Sequence, residues 1–286
     1  NVLPEVMISR ALKEYYQKRE EMALKQRDVA RTLDGEEIKV YGNVNLPLQL
    51  AIDEYGLEEE SALGKVEAVY RQGGNGIALA RTEYMYERSG EPPAFEEQRE
   101  IYLGVADIAN KPVTLRTFDK RDDKECRSLK TVNGIYSFDY YRTDPGRKAL
   151  LTQLKAMLAA HAQSKYRNLR VMFPMVRNTD DIKYMRQLID EAKKDILENK
   201  ENYFTMQDLR RLQEVDRKKG LDSILEDALD ALPVGIMVEH KDAVENLDML
   251  LDNSEYLGED EALKISFMSI GSNDLISSVK NVERKD

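Results

Sequence analysis

Short apolar runs alternate with longer helical patterns along most of this chain, and few folds accept that rhythm. The runs fall at residues 38–44, 76–81, 112–118, 168–174, 233–238 and 265–270, each rich in β-branched or other apolar residues. Helical spacing of apolar residues marks 47–72, 94–108, 145–164, 179–196 with 205–219, 241–252 and 273–281. Strands joined through helices return in the same direction, so the pattern predicts parallel strands and βα units. Six such units are legible. They fit an open α/β sheet. They also fit a (β/α)8 barrel of the TIM type that is missing its last two βα units, since a closed barrel needs eight.

Three segments fall outside the rhythm. Residues Pro4 to Arg31 read as a long charged helix, with Pro4 in its first turn. A solvated packing helix and a linker or dimer-contact helix both fit it. Leu33-Asp34-Gly35-Glu36 marks a turn, dividing a helical lead-in over 1–32 from a barrel domain over 33–286. Residues 119–144 mix charges and aromatics without a period and read as a long βα loop. Residues 196–231 read as an insertion or a solvent-facing helical pair.

A net charge of −10 argues against nucleic acid or an anionic membrane as a partner of the whole surface. No apolar run is long enough for a membrane helix, and no leader pattern opens the chain. With one cysteine, Cys126, there is no internal disulfide, and the expected compartment is the cytoplasm. Cys126 reads as an incidental thiol in a charged stretch, and His161 as a structural or solvent-facing helix residue. His240 directly follows a candidate ligand, Glu239.

In α/β barrels the working residues stand at the C-terminal strand ends. Those ends carry Arg81-Thr82-Glu83, Arg116-Thr117-Phe118-Asp119, Met172-Phe173-Pro174-Met175, Met237-Val238-Glu239 and Gly271-Ser272-Asn273-Asp274. Arginines at neighbouring strand ends suit phosphate or carboxylate oxygens, and carboxylates at later ends suit a hard cation such as Mg²⁺. Together they point to an anionic, phosphorylated small ligand. The bland alternative is that Arg81 and Arg116 pair with Glu83 and Asp119 as structural ion pairs.

These segments resemble the motifs of phosphoenolpyruvate-utilising enzymes. Gly76-Ile77-Ala78-Leu79-Ala80-Arg81-Thr82-Glu83 is similar to their G-x-G-L-x-R-T-E, and Arg116-Thr117-Phe118-Asp119 to their R-T-x-D. Met172-Phe173-Pro174-Met175 resembles M-F-P-M, Gly235-Ile236-Met237-Val238-Glu239 resembles G-x-M-[VI]-E, and Phe267 to Leu275 resembles F-F-S-I-G-T-N-D-L. The M-F-P-M match and the helical lead-in resemble most the C-terminal phosphoenolpyruvate-binding domain of Enzyme I of the bacterial phosphotransferase system. The resemblance implies a TIM-type barrel that binds phosphoenolpyruvate with Mg²⁺. Its phosphoryl group would pass to a histidine in another domain and on to a phosphocarrier protein, and the domain would form a homodimer. It implies that Arg81, Arg116, Asn273 and Arg284 bind substrate and that Glu239 and Asp274 bind Mg²⁺. Lys124 falls where the family has the lysine of a G-G-D-K loop and is the candidate for a catalytic role.

The chain also departs from the pattern. Lys120-Arg121-Asp122-Asp123-Lys124 lacks the glycines of that loop. Where the family has N-P-x-x-G-x-R, the segment Asn133 to Arg142 puts Asp139 at the arginine, with Arg142 as a weak substitute. His240-Lys241 replaces Thr-Pro after Glu239, and the family's G-x-C-G-E cysteine motif is absent. These departures keep two rivals open. One is a non-catalytic relative acting as ligand sensor or protein scaffold; the other is a relative of pyruvate phosphate dikinase or phosphoenolpyruvate synthase.

Overall fold

The computed structural model describes residues 29–48, 61–120, 126–132, 134–135, 137–215, 217–259 and 263–280. Its strands are β1 (Gly42–Asn45), β2 (Ile77–Arg81), β3 (Val113–Arg116), β4 (Leu169–Phe173), β5 (Val234–Val238) and β6 (Phe267–Ile270). They pair in chain order, and every pair is parallel. The connections run through α1 (Ala62–Arg71), α2 (Phe95–Asp107), the short α3 (Ser137–Tyr140), α4 (Asp144–Gln163), α5 (Thr179–Glu198), α6 (Met206–Val215), α7 (Leu221–Asp230) and the short α8 (Lys241–Glu245), α9 (Leu247–Leu251) and α10 (Ser254–Leu257); α11 (Ser272–Lys280) follows β6. Right-handed crossovers between strands in chain order put all helices on one face. The other face turns inward, and the sheet is a curled half-barrel.

Two apolar layers result. The large one lies between strands and helices and includes the inner faces of α4, α5 and α7. The small one, on the inner face of the curl, consists of Leu79, Met172 and Met237 with Phe267 packed on them. A Cβ on Gly235 would lie 2.5 Å from the Phe267 ring, so a glycine on β5 makes room for this floor. Side chains alternate along a strand, so residues two beyond the floor share its face. Those residues are Arg81 beyond Leu79 and Glu239 beyond Met237. The inner face is thus apolar in the middle of the strands and charged at their C-terminal ends.

Strands β2 to β5 match the sequence expectation to within two residues. At 38–44 the strand forms only from Gly42. Ile38 and Val40 stay exposed, in a small hairpin closed by an Arg31–Glu37 bridge around Gly35 at φ 92°. Most of the lead-in helix, residues 1–28, lies outside the described residues; Val29 to Arg31 are not helical.

Three expectations need correction. The 196–231 segment is a helical pair, but it faces solvent on one side only. Ile224, Leu225, Ala228 and Leu229 of α7 and Leu209 and Leu212 of α6 are buried. The 241–252 helix breaks at Asn246, whose side-chain amide donates to the carbonyls of Arg177 and Asp242. Nor is the 119–144 segment loop throughout, since it contains the short helix α3. Phe118, Phe138, Tyr140 and Tyr141 are buried, with the Phe118 ring 4.9 Å from Tyr86 and 5.1 Å from Tyr141, and Thr143 caps the long helix α4.

Candidate functional site

A cavity of about 700 Å³ opens at the C-terminal strand ends. Asn43, Arg81, Glu83, Glu87, Arg116, Cys126, Glu239, Asn273 and Asp274 are among the residues that line it. The sheet brings the two arginines together: Arg81 and Arg116 are direct partners across β2 and β3. Arg81 is half-buried, and its Nη1 donates to Asn45 Oδ1 at 3.3 Å from the end of β1.

Arg116 is held differently. It is 5% exposed, donates through Nη2 to Glu83, and lies 3.9 Å from Asp119 Oδ2. Burial alone disfavours its charge, but Glu83, Asp119 and Glu239 together hold its guanidinium above the ordinary range. It stays charged at every working pH. The ion pairs set out as the bland alternative are therefore present for Arg116, and the same side chain still lines the cavity.

Across the cavity, Glu239 follows β5 and is 1% exposed, and its Oε1 accepts the Met175 N–H at 2.9 Å. Met175 stands in the left-handed region at φ 55°, so the Phe173-Pro174-Met175 turn aims this N–H at the carboxylate. A Cβ on Gly271 would meet Glu239 Oε2 at 2.7 Å, so the glycine before Ser272-Asn273-Asp274 lets the end of β6 close on Glu239. Asp274 is half-buried in the first turn of α11, and Asn273 beside it is exposed.

The cavity therefore gathers Arg81, Arg116, Glu239, Asn273 and Asp274. Lys124 and Arg284 lie outside the described residues. Among the described residues no group of three or more His, Cys, Asp or Glu side chains is gathered as a metal cage. Glu239 and Asp274 form a two-carboxylate edge, which fits Mg²⁺: that ion takes one or two carboxylates and fills its remaining positions with water and phosphate oxygens.

Some residues stand elsewhere. Arg142 is not among the residues that line the cavity; it stacks over Tyr184 and pairs with the buried Asp181 in the first turn of α5. Asp139 is gripped by two Arg177 nitrogens at 2.9 and 2.6 Å, which hold its carboxyl below the usual carboxylate range. His240 caps α8 by accepting the Asp242 N–H through Nδ1. Cys126, read as incidental, is buried in the cavity wall. No spacing signal marks it, because its place depends on how the 119–144 segment packs.

A family model described as "PEP-utilising enzyme, PEP-binding domain" matches residues 19–208. The chain belongs to that family. The matched span carries Arg81, Arg116 and the Phe173-Pro174-Met175 turn. The phosphoenolpyruvate-protein phosphotransferase of Enterococcus faecalis is 26% identical over 260 residues, 88% of this chain and 36% of that protein. The protein of the same name from Priestia megaterium is 30% identical over 243 residues, 82% of this chain and 36% of that one. The chain thus spans a little over a third of these relatives. Among solved structures, an HpcH/HpaI aldolase from Desulfitobacterium hafniense matches with a TM-score of 0.42 at 14% identity, covering 86% of this chain and 67% of that one. So loose a likeness carries no argument. Among the described residues no helix is long and apolar enough to cross a membrane.

Proposed function

We propose that the strand-end cavity binds phosphoenolpyruvate with Mg²⁺, and that the chain is the phosphoenolpyruvate-binding part of a phosphoenolpyruvate-protein phosphotransferase. One observation carries the reading: Arg81 and Arg116, adjacent across β2 and β3, share a cavity with Glu239 and Asp274.

The charges support the metal. The described lining holds two arginines against the carboxylates of Glu83, Glu87, Glu239 and Asp274. A multiply charged anion enters such a site only with a cation. Mg²⁺ on Glu239 and Asp274, when bound, neutralises phosphate and carboxylate charge and draws both into register. Arg81 presents a half-buried guanidinium to the phosphoryl oxygens, and Arg116 supplies fixed positive charge beneath them. In this reading Asn273 and Arg284 belong to the substrate-binding set, and Lys124 is the candidate for a catalytic role. The acceptor is a histidine of a separate domain: its ring nitrogen attacks phosphorus in line, the enol O–P bond breaks to release the enolate of pyruvate, and the phosphohistidine passes the phosphoryl group to a phosphocarrier protein. Two further βα units beside β6 would close an eight-stranded barrel and cover Met268, Ile270, Ile276 and Val279, which are exposed here.

One observation favours a binding relative without turnover. Asp139 stands where the family pattern has an arginine, and Arg177 occupies it. Calorimetry with phosphoenolpyruvate, with and without Mg²⁺, tests the main reading. Mg²⁺-dependent binding that Arg81→Ala abolishes is expected, and a folded chain that binds nothing overturns it. Tight binding without transfer to a supplied histidine domain selects the second reading.

A further inference from the structure

Behind the two arginines runs a polar network that no charge pattern announces. Its centre is Gln153, fully buried on α4 among apolar neighbours. Its Nε2 donates to Thr82 Oγ1 at 2.9 Å and to the Tyr102 hydroxyl at 3.1 Å. Its Oε1 accepts the Phe118 N–H at 2.9 Å. Thr82 in turn donates to the Arg116 carbonyl at 2.6 Å. Thr82 follows Arg81, and Phe118 lies two residues beyond Arg116. One amide thus fixes the backbone just past both arginines, where the strand ladder has run out.

A second ring of bonds supports it. The Tyr102 hydroxyl donates to Gln98 Oε1 at 3.1 Å, and Gln98 donates to the Pro93 carbonyl at 3.0 Å. Thr117 shares a 2.9 Å bond with the Tyr141 hydroxyl, which also donates to the Phe118 carbonyl. A buried amide with both ends satisfied is rigid, and replacing it with an apolar group leaves its partners unpaired.

We propose that Gln153 is the positioning residue for the arginine half of the site: through Thr82 and Phe118 it sets where Arg81 and Arg116 project into the cavity. The functional consequence rests on the phosphoenolpyruvate reading; the positioning itself does not. A guanidinium misplaced by a fraction of an ångström loses binding out of proportion to the bond removed.

The test is calorimetry of phosphoenolpyruvate with Mg²⁺ on the full chain, comparing wild type, Gln153→Met, Arg116→Lys and the double variant. Gln153→Met is expected to weaken binding about tenfold. In the Arg116→Lys background it should cost clearly less than in wild type, because part of its effect runs through the Arg116 guanidinium and only the part that runs through Arg81 remains. A folded Gln153→Met chain with wild-type affinity overturns the proposal, and so does full additivity. If Gln153→Met does not fold, Thr82→Val replaces it under the same criteria, with Thr82→Ser expected to restore affinity. If the wild type binds no phosphoenolpyruvate, the functional reading fails and the Arg116 Nε–H resonance decides the positioning. One sharp, exchange-protected line that broadens or shifts in Gln153→Met supports it, and an unchanged line overturns it.

Discussion

The two sides of the cavity hold their site residues by different means. On the β2–β3 side, Arg116 is buried between Glu83 and Asp119, and Gln153, Thr82 and the aromatic cluster around Phe118 lock the backbone behind it. On the β6 side, Asp274 and Asn273 sit on a short helix whose Ile276 and Val279 are exposed, beside a strand whose Ile270 is 69% exposed. The arginine side is preorganised by its own packing. On the carboxylate side, Gly271 closes on Glu239, the Met175 N–H holds Glu239 Oε1, and Ser278 of α11 accepts the Lys241 N–H.

The largest expected difference is between substitutions of equal size on the two sides. Arg116→Met leaves Glu83 and Asp119 buried without their counter-charge and should cost about 3–5 kcal/mol in urea denaturation. Asp274→Asn should cost less than about 0.5 kcal/mol. Similar losses for both would erase the comparison.

Acid should reach the arginine side through α4. His161 is buried there with neither ring nitrogen hydrogen-bonded, and burial, with Arg167 nearby, pushes its imidazole down to about 4. The unfolded group titrates near 6.5. A depressed folded value means that the unfolded state takes up the proton first. The stability is therefore present above pH 6.5 and is lost as pH falls from there towards 4, by about 3 kcal/mol. His161→Leu should remove that slope from stability measured across the range; an unchanged slope would place the acid sensitivity elsewhere.

Ser137 gives a smaller and opposite effect. It stands in the left-handed region at φ 54°, which favours glycine. Ser137→Gly should raise the melting temperature by the equivalent of about 1 kcal/mol. A loss would mean that the serine earns its place by a contact. The smallest effect belongs to β6: Ile270→Thr should change the stability of this chain by less than about 0.5 kcal/mol. A larger loss would show that β6 is already covered.

What was legible follows the same division. Strands β2 to β5 could be read because strands covered on both faces are continuous apolar runs between turn signals. Arg81, Arg116, Glu239, Asn273 and Asp274 could be read because strand ends in a parallel sheet converge, and the structure puts all of them on one cavity. Residues 38–41 look like strand but stay exposed; Val40 exchanges bonds with Asn75, and the regular pairing with β2 begins at Gly42. Asn246 breaks a helix through a tertiary bond to the Arg177 carbonyl, which no local pattern encodes. Gln153 left a faint signal: a lone amide on a helix face whose neighbours Leu150, Leu154 and Met157 are all buried. Cys126 left none.

The central claim is that the arginine and carboxylate sides meet on one ligand. The most direct test is the affinity for phosphoenolpyruvate as a function of Mg²⁺ concentration, in wild type and in Asp274→Asn. The account predicts affinity that rises with Mg²⁺ in the wild type, and a response flattened by Asp274→Asn in a chain of unchanged stability. Phosphoenolpyruvate binding that is indifferent to Mg²⁺ in both would contradict it.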